Sequence, residues 1–318
     1  MGRRPKWGRP VHGVLLLNKP AGISANDALQ KAKRLFFANR AGHTGALDPL
    51  ATGVLPICFG EATKFSQYLL DADKRYRSTF CFGMTTASGD ADGDVLETWD
   101  ASGLTEGAVL DAMAQFRGRI KQVPSMYSAL KHKGQPLYKL ARQGVEVERE
   151  AREVEIYEYE LLSFTPGAQS PDKQPRAEVE IHCSKGTYVR SLAEDLGRTL
   201  GVGAYVEQLH RSAAGPFDEA DAITLDQLAE ERGEGRAELL DHHLLPVDSP
   251  VTSLPKLILP DDSGYYVRQG QPVMDLQVYR IGEEGDMVRL FLESGDFLGV
   301  GEITDDGRVA PRRLVSAP

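Results

Sequence analysis

Residues 53–60 read Gly-Val-Leu-Pro-Ile-Cys-Phe-Gly, with no charged side chain among them. A near-continuous apolar run of this length suits a strand covered on both faces, and such a strand needs a sheet with chain packed on either side. Other segments fit that frame. Residues 13–17 read as a short strand. Residues 75–83 alternate Tyr76, Ser78, Phe80 and Phe82 against Arg77, Thr79 and Cys81, and 154–163, 177–183 and 203–211 are also strand-like. Helical patterns lie between them. Ala28, Leu29, Ala32, Leu35 and Phe36 recur behind a Ser24 cap, residues 61–74 and 105–116 are periodic, and Leu192, Ala193, Leu196 and Leu200 follow Tyr188. Thr224 and Gln227 form a capping box for a helix through 231. The pattern predicts an α+β fold.

Residues 244–256 hold three prolines and read as a linker between a domain of 1–248 and one of 257–318. The second reads as short strands and turns, including "GYYVRQGQPV", with Asp305-Asp306-Gly307 as a hairpin turn.

No apolar run approaches the roughly 18 residues of a membrane helix, and no apolar signal segment follows the basic N-terminus. The three cysteines, Cys58, Cys81 and Cys183, are widely spaced, which argues for reduced thiols in a cytoplasmic protein and against a disulfide framework or zinc site. Cys183 reads as a small buried residue, since no base is nominated to activate it. The net charge of −9 is unevenly spread: 1–80 carry +8, 117–152 carry +6, and the remainder −23. A cationic face on an acidic body fits phosphate binding, although two solvated helical faces would give the same count. Asp90, Asp92 and Asp94 lie in a polar loop, 85–95, whose glycine comes too early for a calcium-binding loop and which no glutamate closes.

One carboxylate stands apart. Asp48 lies in "GHTGALDPLATG" (42–53), between apolar residues and before a proline that stiffens the backbone. Gly42, Gly45 and Gly53 allow tight turns and close approach to a ligand. Spacing alone leaves a turn with a solvated aspartate equally open. Burial among Leu47, Pro49 and Leu50 would raise the Asp48 pKa, and an arginine partner would lower it again. Residues 120–153 place Tyr127 and Tyr138 among cations, which suits looped RNA or an ordinary hairpin and helix.

The aspartate segment resembles the catalytic motif of the tRNA pseudouridine synthase B family. "GVLLLNKPAGISA" (13–25) is similar to that family's first motif, "PSMYSALKHKGQPLYKLARQG" (124–144) to its RNA-clasping insertion, and "CSKGTYVRSLAEDLG" (183–197) to its arginine motif. The matches run in order over nearly the whole chain. The resemblance implies a pseudouridine synthase fold, an α+β fold with a mixed central β-sheet flanked by helices, and a small C-terminal β pseudo-barrel like the RNA-binding domain shared with archaeosine transglycosylases. It implies a cofactor-free, metal-free enzyme that isomerises uridine 55 in the T-loop of tRNA, without guide RNA or obligate protein partner, as a monomer. By the same resemblance Asp48, Tyr76 and Arg190 are catalytic. Tyr76 would stack on the flipped base, Tyr188 and Leu209 would line its pocket, and His43 would contact RNA beside it. Without that likeness, Tyr76 and Tyr188 read as packing aromatics, His43 as a loop residue and Arg190 as a surface charge at a helix start. Tyr188 and Arg190, two apart, would share one side of an extended segment. Lys19 is left outside the core site, as a phosphate contact or a support for the Asp48 loop. Two rival readings are a T-arm-binding RNA-folding factor and a carboxylate glycosidase acting on free nucleosides.

Overall fold

A computed structural model describes residues 8–128 and 130–316; Arg3, Arg4 and Lys6 of the basic N-terminus lie outside the described residues. The larger sheet has ten strands. Eight form the order Ile223–Thr224, Gly13–Lys19, Thr52–Phe59, Ala204–Ala214, Lys74–Phe82, Arg176–Cys183, Arg152–Thr165, Gly118–Gln122. Ala41–His43 joins Thr52–Phe59, and Phe217–Asp218 joins Ala204–Ala214. Gly13–Lys19 with Ile223–Thr224, and Thr52–Phe59 with Ala204–Ala214, are parallel. The other pairs are antiparallel, so the sheet is mixed, as the resemblance implied.

Both faces are covered. On one, Leu15, Leu17, Leu55 and Ile57 pack with Ala28, Leu29 and Ala32 of the helix Ala25–Leu35 and with Leu192 and Leu196 of the helix Val189–Leu200. On the other, Val14, Leu16, Val54 and Cys58 pack against Leu69 and Phe217. The two-sided strand expected at 53–60 is therefore Thr52–Phe59, buried from Gly53 onward. One edge of it pairs along its length with Gly13–Lys19. On the other edge Ala41–His43 covers residues 57–59 and Ala204–Ala214 covers only 52 and 53. The partner changes around Pro56, which has no N–H to offer a ladder. The hairpin connection 44–51, carrying Asp48, leaves the sheet at this change of partner.

Several expectations are corrected. The 61–74 segment divides into a 3-10 turn, Gly60–Phe65, and a short helix, Ser66–Asp71. Arg190 lies in the first turn of the helix Val189–Leu200, with Tyr188 as the extended residue before it. The shared-side argument for an extended chain thus fails at this pair. "GYYVRQG" is mostly the helix Asp261–Arg268, not a strand. Acidic residues occupy its first turn, and Gly264 and Val267 are buried on one side at helical spacing. Residues 244–256 form a packed run of turns around the 3-10 segment Ser249–Val251. Leu245 exchanges two backbone hydrogen bonds with Val14, at 2.8 and 3.0 Å, and Val251 is buried with Phe65 and Val300.

The C-terminal part is a five-stranded sheet in the order Lys256–Leu259, Met287–Leu292, Phe297–Ile303, Arg308–Leu314, Val273–Met274, around its own core of Leu257, Leu259, Val267, Leu290 and Val309. Asp305-Asp306-Gly307 makes the turn foreseen there, with Gly307 at φ 73°. Among the described residues no helix is long and apolar enough to cross a membrane.

Candidate active site

The Asp48 loop is held from below by its neighbours. Gly53 has φ 101°, and a Cβ there would lie 2.2 Å from the Arg211 carbonyl oxygen. Glycine is thus required by a neighbouring strand rather than by a ligand. Gly45, at φ 80°, turns over the Arg211 guanidinium, whereas Gly42 shows neither constraint. Lys19 is fully buried, and its ammonium donates to the carbonyls of Pro20 (2.7 Å), Ile23 (2.7 Å) and Pro49 (3.3 Å). Gly22 N–H also donates to Pro49 O, at 2.8 Å. Lys19 therefore ties the first motif to the aspartate loop. Of its two expected roles the loop support is the one observed, since its three bonds all go to backbone.

Burial lowers the Lys19 pKa to about 8, against the pull of Asp48. A lysine depressed in the folded state costs stability below its folded pKa, and that cost fades as pH rises from about 8 toward its ordinary value near 10.5. Lys19→Met leaves three carbonyls without their donor, at about 1–3 kcal/mol each for groups that stay dry. The variant is expected to melt lower than the parent at pH 9, where part of that cost has already faded, as calorimetry would show. Equal melting temperatures there would contradict the support role.

Arg190 reaches Asp48 directly, Nε to Oδ2 at 3.0 Å. Its side chain is 5% exposed and Asp48's is 37%, so the pair forms the floor of an open-mouthed site. The remaining guanidinium nitrogens are also engaged. Nη1 donates to Ser88 O at 2.8 Å and lies 3.6 Å from Asp90 Oδ2, and Nη2 donates to Tyr127 O at 2.9 Å. A cation in the first turn of a helix is disfavoured by the helix dipole, and these two carboxylates offset that. Asp90 is itself fixed by the Ser88 hydroxyl and by Asp92 N–H at 3.2 Å. Burial pushes the Asp48 pKa up, Arg190 and Lys19 pull it down, and Asp90 and Asp92 push it up further. Both carboxylates face one guanidinium.

Two tyrosines lie within electrostatic reach of Asp48. Tyr76 lies opposite Arg211 in the ladder, and Leu209 lies opposite Ser78. Burial raises the Tyr76 pKa, with Arg211 opposing and Asp48 within electrostatic reach. Tyr188 is likewise raised by burial, opposed by the Ser128 hydroxyl, Arg152 and Arg190, and it too senses Asp48. Both phenols therefore remain protonated at neutral pH. The turn bearing Tyr188 is clamped by buried Gln122, which accepts from Tyr188 N–H (3.0 Å) and donates to Tyr188 O (3.2 Å). Leu209, with Leu50, lines a cleft of about 720 Å³ that opens beside Asp48 rather than over it. His43 stands one step back. It neighbours Arg211, burial lowers its pKa, and its Nδ1 is buried without a partner. Cys183 is buried, and burial pushes its thiol up to about 12, which suits a packing role.

Three participants were not foreseen. The 85–95 loop read as a surface feature, yet its Asp90 is buried against Arg190. Arg211 is buried, donating to Val54 O at 2.7 Å and Gly45 O at 3.2 Å. Gln122 was a generic polar residue. None of the three is marked by its local sequence, since each owes its place to contacts with distant segments.

Sequence and structure comparisons bear on this arrangement. Residues 33–189 match the model of the TruB family pseudouridylate synthase N-terminal domain. Residues 190–252 match the tRNA pseudouridylate synthase B C-terminal domain, and 255–315 match the pseudouridine synthase II TruB C-terminal model. A tRNA pseudouridine synthase B of Saccharophagus degradans is 60% identical over 316 residues, covering 99% of each chain. The chain belongs to the TruB family of pseudouridine synthases. One from Pseudomonas aeruginosa is 53% identical over 96% of this chain and 97% of its own. As a TruB-family pseudouridine synthase the chain is an enzyme, an isomerase. Its fold recurs in an H/ACA ribonucleoprotein bound to a substrate RNA containing 2'-deoxyuridine (TM-score 0.70, 22% identity, 99% of this chain and 92% of that one). It recurs also in a Cbf5-Nop10-Gar1 complex (TM-score 0.67, 24% identity, 100% and 90%). The mixed sheet and the small C-terminal sheet of this chain accord with the expected fold class.

Proposed function

We propose that the protein converts uridine 55 in the T-loop of tRNA to pseudouridine, as a monomer, without a guide RNA, a protein partner or a cofactor. The observation that carries this reading is the 3.0 Å pair of Asp48 with a nearly buried Arg190, within electrostatic reach of two tyrosines. The uridine is flipped out of its stack to reach that floor, because a paired or stacked base cannot. Asp48 assists cleavage of C1′–N1, the uracil turns within the pocket, and C1′ rejoins it at C5. The C5 proton is lost and N1 gains one, so the product is an isomer and no redox partner is needed. Tyr76 stacks on the base and offers a phenolic proton. Tyr188 and Leu209 wall the pocket, and His43 meets the RNA at its rim. Residues 1–248 act as the catalytic domain and 257–318 as an RNA-binding domain. The relatives' names, tRNA pseudouridine synthase B, support the choice of substrate.

The direct test is an unmodified tRNA transcript incubated with the purified protein alone. Pseudouridine is expected at position 55 and nowhere else. An unaltered position 55, or turnover of free uridine, would overturn the proposal. The insertion supplies the grip through exposed Lys131, Lys133, Lys139 and Arg142. Replacing all four with alanine should flatten the salt dependence of tRNA binding by roughly one unit of slope for each phosphate no longer neutralised. Filter binding across a salt series measures this, and an unchanged slope would remove the insertion from the interface.

A further inference from the structure

Glu231, His242 and His243 form a surface cluster that the reaction does not use. We infer that it is a binding site for one divalent cation of the zinc class. Glu231 sits in the last turn of the helix Leu225–Arg232, and the two histidines end the 3-10 segment Ala237–His243, so a tight turn returns the chain onto its own helix. One ligand atom from each residue lies within 4.8 Å of the others. Glu231 presents a different oxygen to each ring: Oε2 is 2.6 Å from His243 Nε2, and Oε1 is 3.3 Å from His242 Nε2. The imidazoles pack with centroids 3.9 Å apart.

The second layer of contacts is built as well. His242 Nδ1 lies 2.8 Å from the Leu239 carbonyl, which can only accept. That bond places the proton on Nδ1 and turns the Nε2 lone pair toward Glu231, the outer hydrogen bond that metal-binding histidines usually have.

Two imidazoles and one carboxylate make a donor set typical of zinc, whereas magnesium and calcium prefer oxygen alone. Metal–ligand bonds of about 2.0–2.2 Å in a tetrahedron separate ligand atoms by roughly 3.3–3.5 Å. The His242–Glu231 spacing already meets this, and the His243–Glu231 contact would open by less than about 1 Å. The His242 side chain is 61% exposed, so an ion enters from solvent and water completes its shell. The bound cation clips the helix end to the segment carrying Asp241, whose carboxylate holds Arg9 at 2.7 Å. Its effect is on the stability of this corner and not on the isomerisation.

The test uses full-length protein carrying no polyhistidine tag and stripped with chelator. Titration with zinc chloride by calorimetry should give one site per chain, and cobalt(II) should develop the visible bands of a tetrahedral complex. Zinc should raise the melting temperature of the parent and leave that of a His242→Ala/His243→Ala variant unmoved, with both forms equally active on tRNA. Glu231→Gln, a milder change, should weaken zinc binding at least tenfold. A His132→Ala control should bind as the parent does. No heat of binding at 100-fold zinc excess, or one site that persists in the double variant, would overturn the proposal.

Discussion

Asp48→Asn is expected to abolish pseudouridine formation, by roughly four orders of magnitude or more, the scale seen when a group central to covalent chemistry is removed. Binding of tRNA should persist, because the substitution deletes an anion from a surface that meets phosphates. Single-turnover assays and filter binding on one preparation separate the two effects. Stability offers an independent check. The Asp48 pKa is raised in the folded state, so the folded protein takes up a proton there more readily than the unfolded chain. A raised carboxyl favours the fold below its unfolded pKa, and this contribution is lost as pH rises through the folded pKa. At neutral pH the ionised carboxylate is therefore a cost, and Asp48→Asn should melt no lower than the parent. A variant that is inactive yet equally stable would mark a residue kept for chemistry. The parent's activity should also fall on the acid side through a pKa above 3.8, the ordinary value. An RNA-folding factor would instead keep its cellular effect after the substitution, and full retention of activity would dismiss the aspartate altogether.

Arg190→Ala carries the second large effect. It leaves Asp48 and buried Asp90 facing each other with no cation between them, and frees the carbonyls of Ser88 and Tyr127. Breaking one side of a buried ionic network costs about 3–5 kcal/mol. Catalysis should fall by roughly two to four orders of magnitude, while RNA binding changes little. The acid limb of the rate profile should move to higher pH, because the guanidinium opposes the upward push on Asp48. Arg190→Lys should recover only part of the loss. An ammonium can meet one carboxylate, but it lacks the planar fork that reaches Asp48, Ser88 and Tyr127 together. Equal losses in binding and catalysis would refute the pairing role.

Much of this arrangement was legible from residue pattern. Uncharged residues at 53–60 required a two-faced strand, and alternation at 75–83 set Tyr76 and Ser78 on one side. The Thr224–Gln227 capping box is present as read. Motif likeness, rather than periodicity, singled out Asp48 and Arg190, which the fold joins across 142 residues of sequence. What stayed hidden depended on contacts between distant segments. Nothing in "TTASGDADGDV" says that Asp90 turns inward, because an aspartate in a polar turn is usually solvated. Gly53 looked like a ligand-facing glycine because its real neighbour, Arg211, lies far along the chain. The 261–268 helix was missed because its buried face is only two residues wide and its tyrosines mimic a strand.

The packed stretch at 244–256 has a consequence for how an RNA must be read. Leu245 is stitched to the first strand, and Val251 shares a core with Phe65 and Val300, so the small C-terminal sheet is moored to the large one. On the proposed function, with the small sheet binding RNA, the span from it to Asp48 would work as a ruler. An RNA would then be accepted when its own folded dimensions match that gauge, and shortening or lengthening the helix beside the target loop by a single base pair should displace the uridine from the acid.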